Sequence, residues 1–299
     1  MSDSVKGFWA LLASCAIWGL SGIYYKALSD VPAFEILAHR TVWSVVFLGA
    51  VLAVQGGLAG LRAVVLETRT FALVALAALA VSINWVVFIW AEQSGHAVDA
   101  SLGYFILPLV SVAFGVTLFH ERLSRAQVAA LTLAAVAVAY MTVEIGSAPW
   151  VALSLALSFS LYGVFKKGLA IPSLVSVTAE VALLAPIALV FLLAWEFGWG
   201  LPGGQGVFGH DLRATLLLPL SGPLSGVPLL LFSYAAQKVK LSTMGIGFYL
   251  NPTLQLLVAV LIFGEPLLHA HVVAFPLIWI ALAVYTVAGL RRSRAESRG

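Results

Sequence analysis

Apolar residues run through this chain in blocks of membrane length, separated by brief polar or glycine-containing stretches. Ten such blocks predict ten spanning helices, at about 8–28, 35–54, 71–93, 101–119, 126–143, 150–169, 174–195, 213–236, 243–263 and 270–290. Each approaches the roughly 20 residues that a helix needs to cross a bilayer. The connections are short except for Glu196 to Asp211, EFGWGLPGGQGVFGHD, whose glycines mark a surface loop. The expected fold class is therefore an all-α integral membrane protein with no separate soluble domain.

Two blocks carry a second pattern. Ala100 to Glu121 places Gly103, Pro108, Phe119 and Glu121 at the spacings at which Gly247 to Glu265 places Gly247, Pro252, Phe263 and Glu265. A proline inside a span removes a backbone hydrogen bond, so each of these helices is expected to be broken or kinked, with its freed carbonyl facing protein, water or ligand. The offset between them is 144 residues. Aligning Trp9 to Leu28 with Trp150 to Leu169 pairs Trp9 with Trp150, Gly22 with Gly163 and Lys26 with Lys167 at an offset of 141. Two separate matches thus give nearly one period, dividing the chain into five-helix repeats at 1–147 and 148–299. Because five is odd, the second copy must enter the membrane the other way up. Inverted repeats meeting at discontinuous helices are an architecture of secondary transporters, with the substrate site near the midplane.

Composition agrees with the pattern. The chain is 62% hydrophobic and 10% charged, with a mean hydropathy of +1.03, where soluble domains carry roughly 25% charged residues. A lysine before the first apolar run resembles a signal peptide, but with nine further runs following it that segment reads as a retained first span. Cys15 stands alone, so no intrachain disulfide can form. The net charge of +3 would in a soluble protein suggest nucleic acid, yet here the basic residues sort by membrane side. With the N-terminus inside, 13 of the 16 lysines and arginines fall on the inner side, leaving Lys26, Arg40 and Arg213 on the outer half. The expected topology is N-in and C-in.

Ionisable residues within spans are costly and so are functional candidates by default. Glu35 and His39 lie one turn apart, with Arg40 about 140° round from Glu35 and about 8 Å deeper. They could form an outer charged vestibule that positions a polar substrate group or carries a proton; equally, Arg40 could pair with Glu35, and Lys26 could reach the headgroups. On the third span Asn84, Trp85, Phe88 and Glu92 fall within about 100° of one another. Trp18, Ser21, Gly22 and Tyr25 form a similar face on the first. These could wall a cavity that stacks on a flat organic substrate, oriented by Asn84, or they could be packing. Trp9, Trp150, Trp195 and Trp199 are assigned to the membrane interfaces. Glu180 is a second coupling candidate or a structural hydrogen-bond partner, and Tyr162 precedes Lys166 by one turn. Tyr104 and Phe248, each one turn before its proline, are the favoured aromatic contacts from the helices of Pro108 and Pro252. Nothing has metal or catalytic spacing: His269 and His271 are two residues apart, and no phosphate-binding glycine loop occurs. No cofactor is expected.

Several segments together resemble one family. EILAHRTVWS (35–44), NWVVFIWA (84–91), DASLGYFILPL (99–109), LYGVFKK (161–167) and LSTMGIGFYLNPT (241–253) are similar to the RarD subgroup of EamA-type transporters, in the drug/metabolite transporter superfamily. The resemblance covers essentially the whole chain. It implies ten spans in two inverted halves around a central cavity, and motif residues at Glu35, His39, Arg40, Asn84, Trp85, Tyr104, Pro108, Tyr162, Tyr249 and Pro252. One position departs: Leu107 stands before the first proline where family members carry asparagine, whereas Asn251 keeps the amide before the second.

The expectation is a transporter of the cytoplasmic (inner) membrane that moves a small organic metabolite or drug-like molecule by alternating access. Its partners would be that substrate and the lipid bilayer, with proton coupling and a homodimer both admitted and nucleic acid not expected. A membrane-embedded enzyme acting on an amphipathic or lipid-linked substrate is the alternative, but it needs a nucleophile and base converging at one depth, and no such set is evident. A passive channel would want a continuous polar lining in place of these rings.

Overall fold

The computed structural model describes residues 3–119, 124–146, 148–197, 199, 206–238 and 249–296, and the regular elements among these are all helices, without a strand. The first half contains α1 (Asp3–Ala27), α2 (Ala33–Val54), α3 (Ala59–Leu66), α4 (Thr68–Gln93), α5 (Ala97–Phe119) and α6 (Arg125–Ile145). The second contains α7 (Trp150–Lys167), α8 (Ser173–Glu196), α9 (Leu212–Leu217), α10 (Ser221–Lys238), α11 (Leu250–Leu257) and α12 (His269–Glu296).

Among the described residues, seven helical stretches are long and apolar enough to cross a membrane: α1, α2, α4, α5, α6, α8 and the run from α9 into α10. Three further apolar stretches, Trp150–Lys166, Leu250–Ile262 and His269–Tyr285, are shorter. The outer faces expose large apolar side chains such as Val136, Ile187, Val190, Phe191, Leu216 and Ile280. In water so much exposed apolar surface would drive association; in lipid it is matched by its solvent. The protein is a multi-pass membrane protein.

Three expectations about the elements need correction. The connection after α2 is not short, since it holds the helix α3. The expected eighth span is interrupted at Leu218–Leu220 by a 3₁₀ turn, where Pro219 has no N–H to offer a carbonyl one turn back. Helix α5 runs through Pro108 without a break. On the second proline stretch, α11 begins at Leu250 with Tyr249 as its N-cap, so Pro252 occupies the first turn, where a missing N–H costs little. The chain then loosens into a π-helical turn at Val258–Ile262 and ends at Gly264, whose φ of 68° lies in the left-handed region.

One turn is built twice. After α1 the chain turns through Ser29, whose N–H donates to the Lys26 carbonyl at 3.2 Å, and enters α2 at Pro32 with φ −54° and ψ 136°. After α7 the Leu169 N–H donates to the Lys166 carbonyl at 3.1 Å, and α8 starts at Pro172 with φ −56° and ψ 139°. Proline ahead of each helix disfavours helical backbone in the residue before it and so fixes the corner.

Packing runs mainly between the halves. Helix α1 lies on α10 and α11, α2 on α8 and α10, α4 on α7 and α8, α5 on α7 and α11, and α6 on α12. Glycines allow the closest approaches: a Cβ at Gly103 on α5 would sit 2.8 Å from the Ala152 carbonyl oxygen of α7. Polar ties cross as well. The Glu265 carboxylate receives the backbone N–H groups of Ala97 and Val98 at 3.2 and 3.0 Å, which places a negative charge on the positive end of α5. Asp99 meets His271 at 3.2 Å, a pairing across the chain that the two-residue spacing of the histidines did not suggest.

Candidate functional site

Between the halves lies a small cavity lined by Trp18, Ser21 and Tyr25 of α1, Arg40 of α2, Val81, Asn84, Trp85 and Phe88 of α4, and Tyr104 of α5. The second half adds Phe159, Tyr162, Leu224, Leu229, Asn251 and Gln255. Its free volume is about 50 Å³, room for a few waters and far below the roughly 300 Å³ at which small-molecule pockets begin. As it stands, the cavity does not hold a metabolite.

The α4 stripe faces this space, as the spacing predicts for Asn84, Trp85 and Phe88. Asn84 is completely buried and engaged on both sides of its amide: its Nδ2 donates to the Leu155 carbonyl at 3.1 Å and to Ser158 Oγ at 3.2 Å, and its Oδ1 accepts from the Tyr104 hydroxyl at 2.9 Å. It therefore ties α4 and α5 to α7 and fixes Tyr104 in the wall. Glu92, at the end of the stripe, instead packs its carboxylate against Gly22 of α1.

The Glu35, His39 and Arg40 cluster is divided by the turn of its helix. Glu35 Oε1 accepts the Val207 backbone N–H at 2.7 Å, and the His39 ring lies 4.7 Å from that of Phe208. The glycine-rich loop expected at the surface thus folds its last residues onto the start of α2, and it also covers Trp195, which is only 4% exposed. Residues 198 and 200–205 of that loop lie outside the described residues.

Arg40 points the other way, into the cavity. It is 4% exposed; its guanidinium lies 3.9 Å from the Trp85 ring centroid and 5.8 Å from that of Tyr25, and Nη1 donates to the Tyr25 hydroxyl at 2.7 Å. Of the two alternatives, pairing with Glu35 does not occur, and no described ion pair includes Arg40. A desolvated cation over a ring gains about 2 kcal/mol. Removing an ion from water costs several. The rings alone leave the charge undercompensated, and its Nε has no partner. Gln255 Oε1 on α11 is likewise buried and unpartnered. Sequence reasoning missed Gln255, although its position one turn after Asn251, to whose Oδ1 it donates at 3.3 Å, was the available signal.

The other sequence candidates lie apart. Glu180 is held by Lys166 Nζ at 2.7 Å, Ser176 Oγ at 2.8 Å and the Tyr162 hydroxyl at 3.1 Å, so it reaches the cavity only through Tyr162. Tyr249 is half-buried at the start of α11, against the apolar core and away from the cavity lining. Pro252 is buried, with its carbonyl accepting from Ser101 Oγ at 2.8 Å. Phe248 lies outside the described residues. Lys26 neither pairs nor extends freely: its Nζ sits 5.4 Å over the Phe263 ring and 3.4 Å from the Gln93 carbonyl.

A second cavity of about 340 Å³ is bounded by Gly95, Asp99, Trp150, Glu265 and His271. Its ionisable groups are already committed, Glu265 to the start of α5 and Asp99 to His271. No group of three or more metal-ligating side chains occurs among the described residues.

Apolar helices packed in lipid-compatible fashion around an aromatic and amide-lined cavity define a polytopic membrane protein. Residues 5–143 match the model of the EamA-like transporter family. The chain is 40% identical to an uncharacterised transporter of Pseudomonas aeruginosa over 290 residues, 97% of this chain and 96% of that one. It is also 40% identical to the RarD protein of Streptomyces exfoliatus over 93% of its length and 87% of the relative's, and 35% identical to RarD of Escherichia coli over 98% of both. The chain belongs to the RarD-type EamA transporters. A protein of known crystal structure, 19% identical, superimposes with a TM-score of 0.61 over 96% of this chain and 98% of its own, a likeness of fold alone.

Proposed function

We propose that the protein is a secondary transporter that carries a small organic molecule through the central cavity by alternating access between two inverted five-span halves. The observation that carries this is the cavity itself, built from both halves and too small, as it stands, for a metabolite. The inverted arrangement is supported by the way the helix contacts pair. Counting α1, α2, α4, α5 and α6 against α7, α8, α9–α10, α11 and α12, the contact of α1 with α10 answers that of α7 with α4, α5 with α7 answers α11 with α1, and α2 with α10 answers α8 with α4. Three contacts, α2 with α8, α5 with α11 and α6 with α12, are their own counterparts. A two-fold axis between the halves generates that pattern, and an odd number of spans in each half would lay that axis in the membrane plane. The twice-built proline corner supports it as well.

Of the two coupling candidates, Glu35 is the one retained, because Oε2 has no partner whereas Glu180 is paired with Lys166. The enzyme alternative loses its site in this arrangement, since Arg40 faces the cavity while Glu35 and His39 face the 206–211 loop.

Proteoliposomes containing the purified chain, screened for uptake against a metabolite library, should yield a transported compound. Trp85→Ala should then lower its uptake roughly tenfold or more, the scale of losing a buried aromatic contact; unchanged uptake would remove Trp85 from the site. Orientation has its own check. Single cysteines in the 94–100 and 196–211 loops should label from outside the cell, with little background from Cys15, which is fully buried. Labelling only from inside would reverse the topology.

A further inference from the structure

We propose that the transported molecule is an organic anion, a carboxylate attached to a flat or aromatic body, and that Arg40 is its receptor. This deepens the transporter reading and rests on it for the word transported, but the charge preference stands on the cavity alone. The cavity holds one full charge among its described lining residues, the Arg40 guanidinium, and that charge has no anionic partner. Its Nε and Gln255 Oε1 are buried polar atoms without hydrogen bonds, on helices α2 and α11 from different halves. Two carboxylates outside this cavity have their partners, Glu180 in Lys166 and Glu265 in the start of α5.

A guanidinium is a planar fork that suits a carboxylate in two-point contact. Here Nη1 is already committed to Tyr25, and Trp85 covers one face, so the guanidinium is held in place for an incoming anion instead of swinging in a pocket. The remaining walls, Trp18, Phe88, Tyr104, Phe159 and Tyr162, offer ring faces and edges to an apolar body, and the free oxygen of Gln255 offers an acceptor to a donor group on it. A cationic substrate would meet an uncompensated positive charge, and a neutral one would leave that charge undercompensated.

The test uses the full chain in nanodiscs and matched probes: benzoate with benzamide and benzylamine, phenylacetate with its amide and phenethylamine, and indole-3-acetate with its amide and tryptamine. Calorimetric titration should show a carboxylate binding about tenfold or more tighter than its own amide and amine, the scale of a hydrogen bond to a charged group. Arg40→Gln should abolish that difference and Arg40→Lys keep part of it. Without ligand, Arg40→Gln should melt at or above the parent temperature, because a lone buried charge has been removed; a clear fall would make Arg40 a structural clasp and overturn the assignment. Equal binding within each trio, preference for the amine, or no carboxylate binding at all would overturn it too. Uptake of the same probes into proteoliposomes is read separately. Carboxylate-selective binding without flux keeps the charge class and removes the transport reading, whereas flux without charge preference does the reverse.

Discussion

Lys166→Met is expected to lower the melting temperature of the purified protein, and Lys166→Met combined with Glu180→Gln to recover most of the loss. Glu180 is buried, and Lys166 Nζ lies 2.7 Å from its Oε1, with Ser176 Oγ at 2.8 Å and the Tyr162 hydroxyl on Oε2 at 3.1 Å. Removing one partner of a buried pair costs about 3–5 kcal/mol, because the charge left behind remains desolvated. The Lys166 side chain is 22% exposed, so some water reaches the pair and the lower end, about 3 kcal/mol, is expected. An amide at 180 needs no counter-charge; its oxygen accepts from one of the Tyr162 and Ser176 hydroxyls and its nitrogen donates to the other. The double variant should therefore melt well above the single one in the same detergent. If the two losses simply add, the lysine and the carboxylate are not coupled. Tyr162 lines the cavity, so the single variant should also disturb substrate uptake, while the double variant keeps the ring in place.

The apolar blocks were legible because lipid demands length and hydropathy from a helix more than any particular periodicity. What the blocks conceal is where the backbone must yield. Nothing in the hydropathy of 213–236 distinguishes Pro219, which forces a 3₁₀ turn, from Pro228, which α10 absorbs while its carbonyl accepts from Ser14 Oγ at 2.9 Å. The Asn84, Trp85 and Phe88 stripe was readable because its members share one helix, so 100° per residue settles their common face. The role of Asn84 was not, because all its hydrogen bonds go to other helices, α5 and α7. The same limit applies to α2. Spacing placed Arg40 about 140° from Glu35, but only the fold says that Trp85 covers one side of that helix and Phe208 the other. Glu265 was marked by its repeat spacing, yet its use as the cap of α5 depends on a contact between residues 167 and 168 positions apart.

Gly222→Ala is expected to destabilise the protein strongly, whereas Gly163→Ala should be neutral. Both glycines lie in helices, where alanine is ordinarily the better residue. At Gly163 an added Cβ meets nothing within 4 Å. At Gly222, on α10, it would lie 2.5 Å from the Trp43 carbonyl oxygen and 2.6 Å from its carbonyl carbon on α2. Those are backbone atoms, so no rotamer change relieves the contact and the two helices must separate. Overpacking of this kind costs about 1–3 kcal/mol even where side chains can adjust, and the upper end applies where they cannot. The measurement is melting temperature and the fraction of monodisperse protein after purification. Adding Trp43→Ala to Gly222→Ala should give little rescue, because the obstacle is main chain; substantial rescue would mean that the indole, not the backbone, limits the approach. The seam also has a functional side. Arg40 on α2 and Leu224 and Leu229 on α10 all line the cavity, so helices forced apart at Gly222 should bind a substrate less tightly even in the fraction that folds. A Gly222→Ala protein that melts and binds as the parent does would show that α2 and α10 do not meet at this glycine.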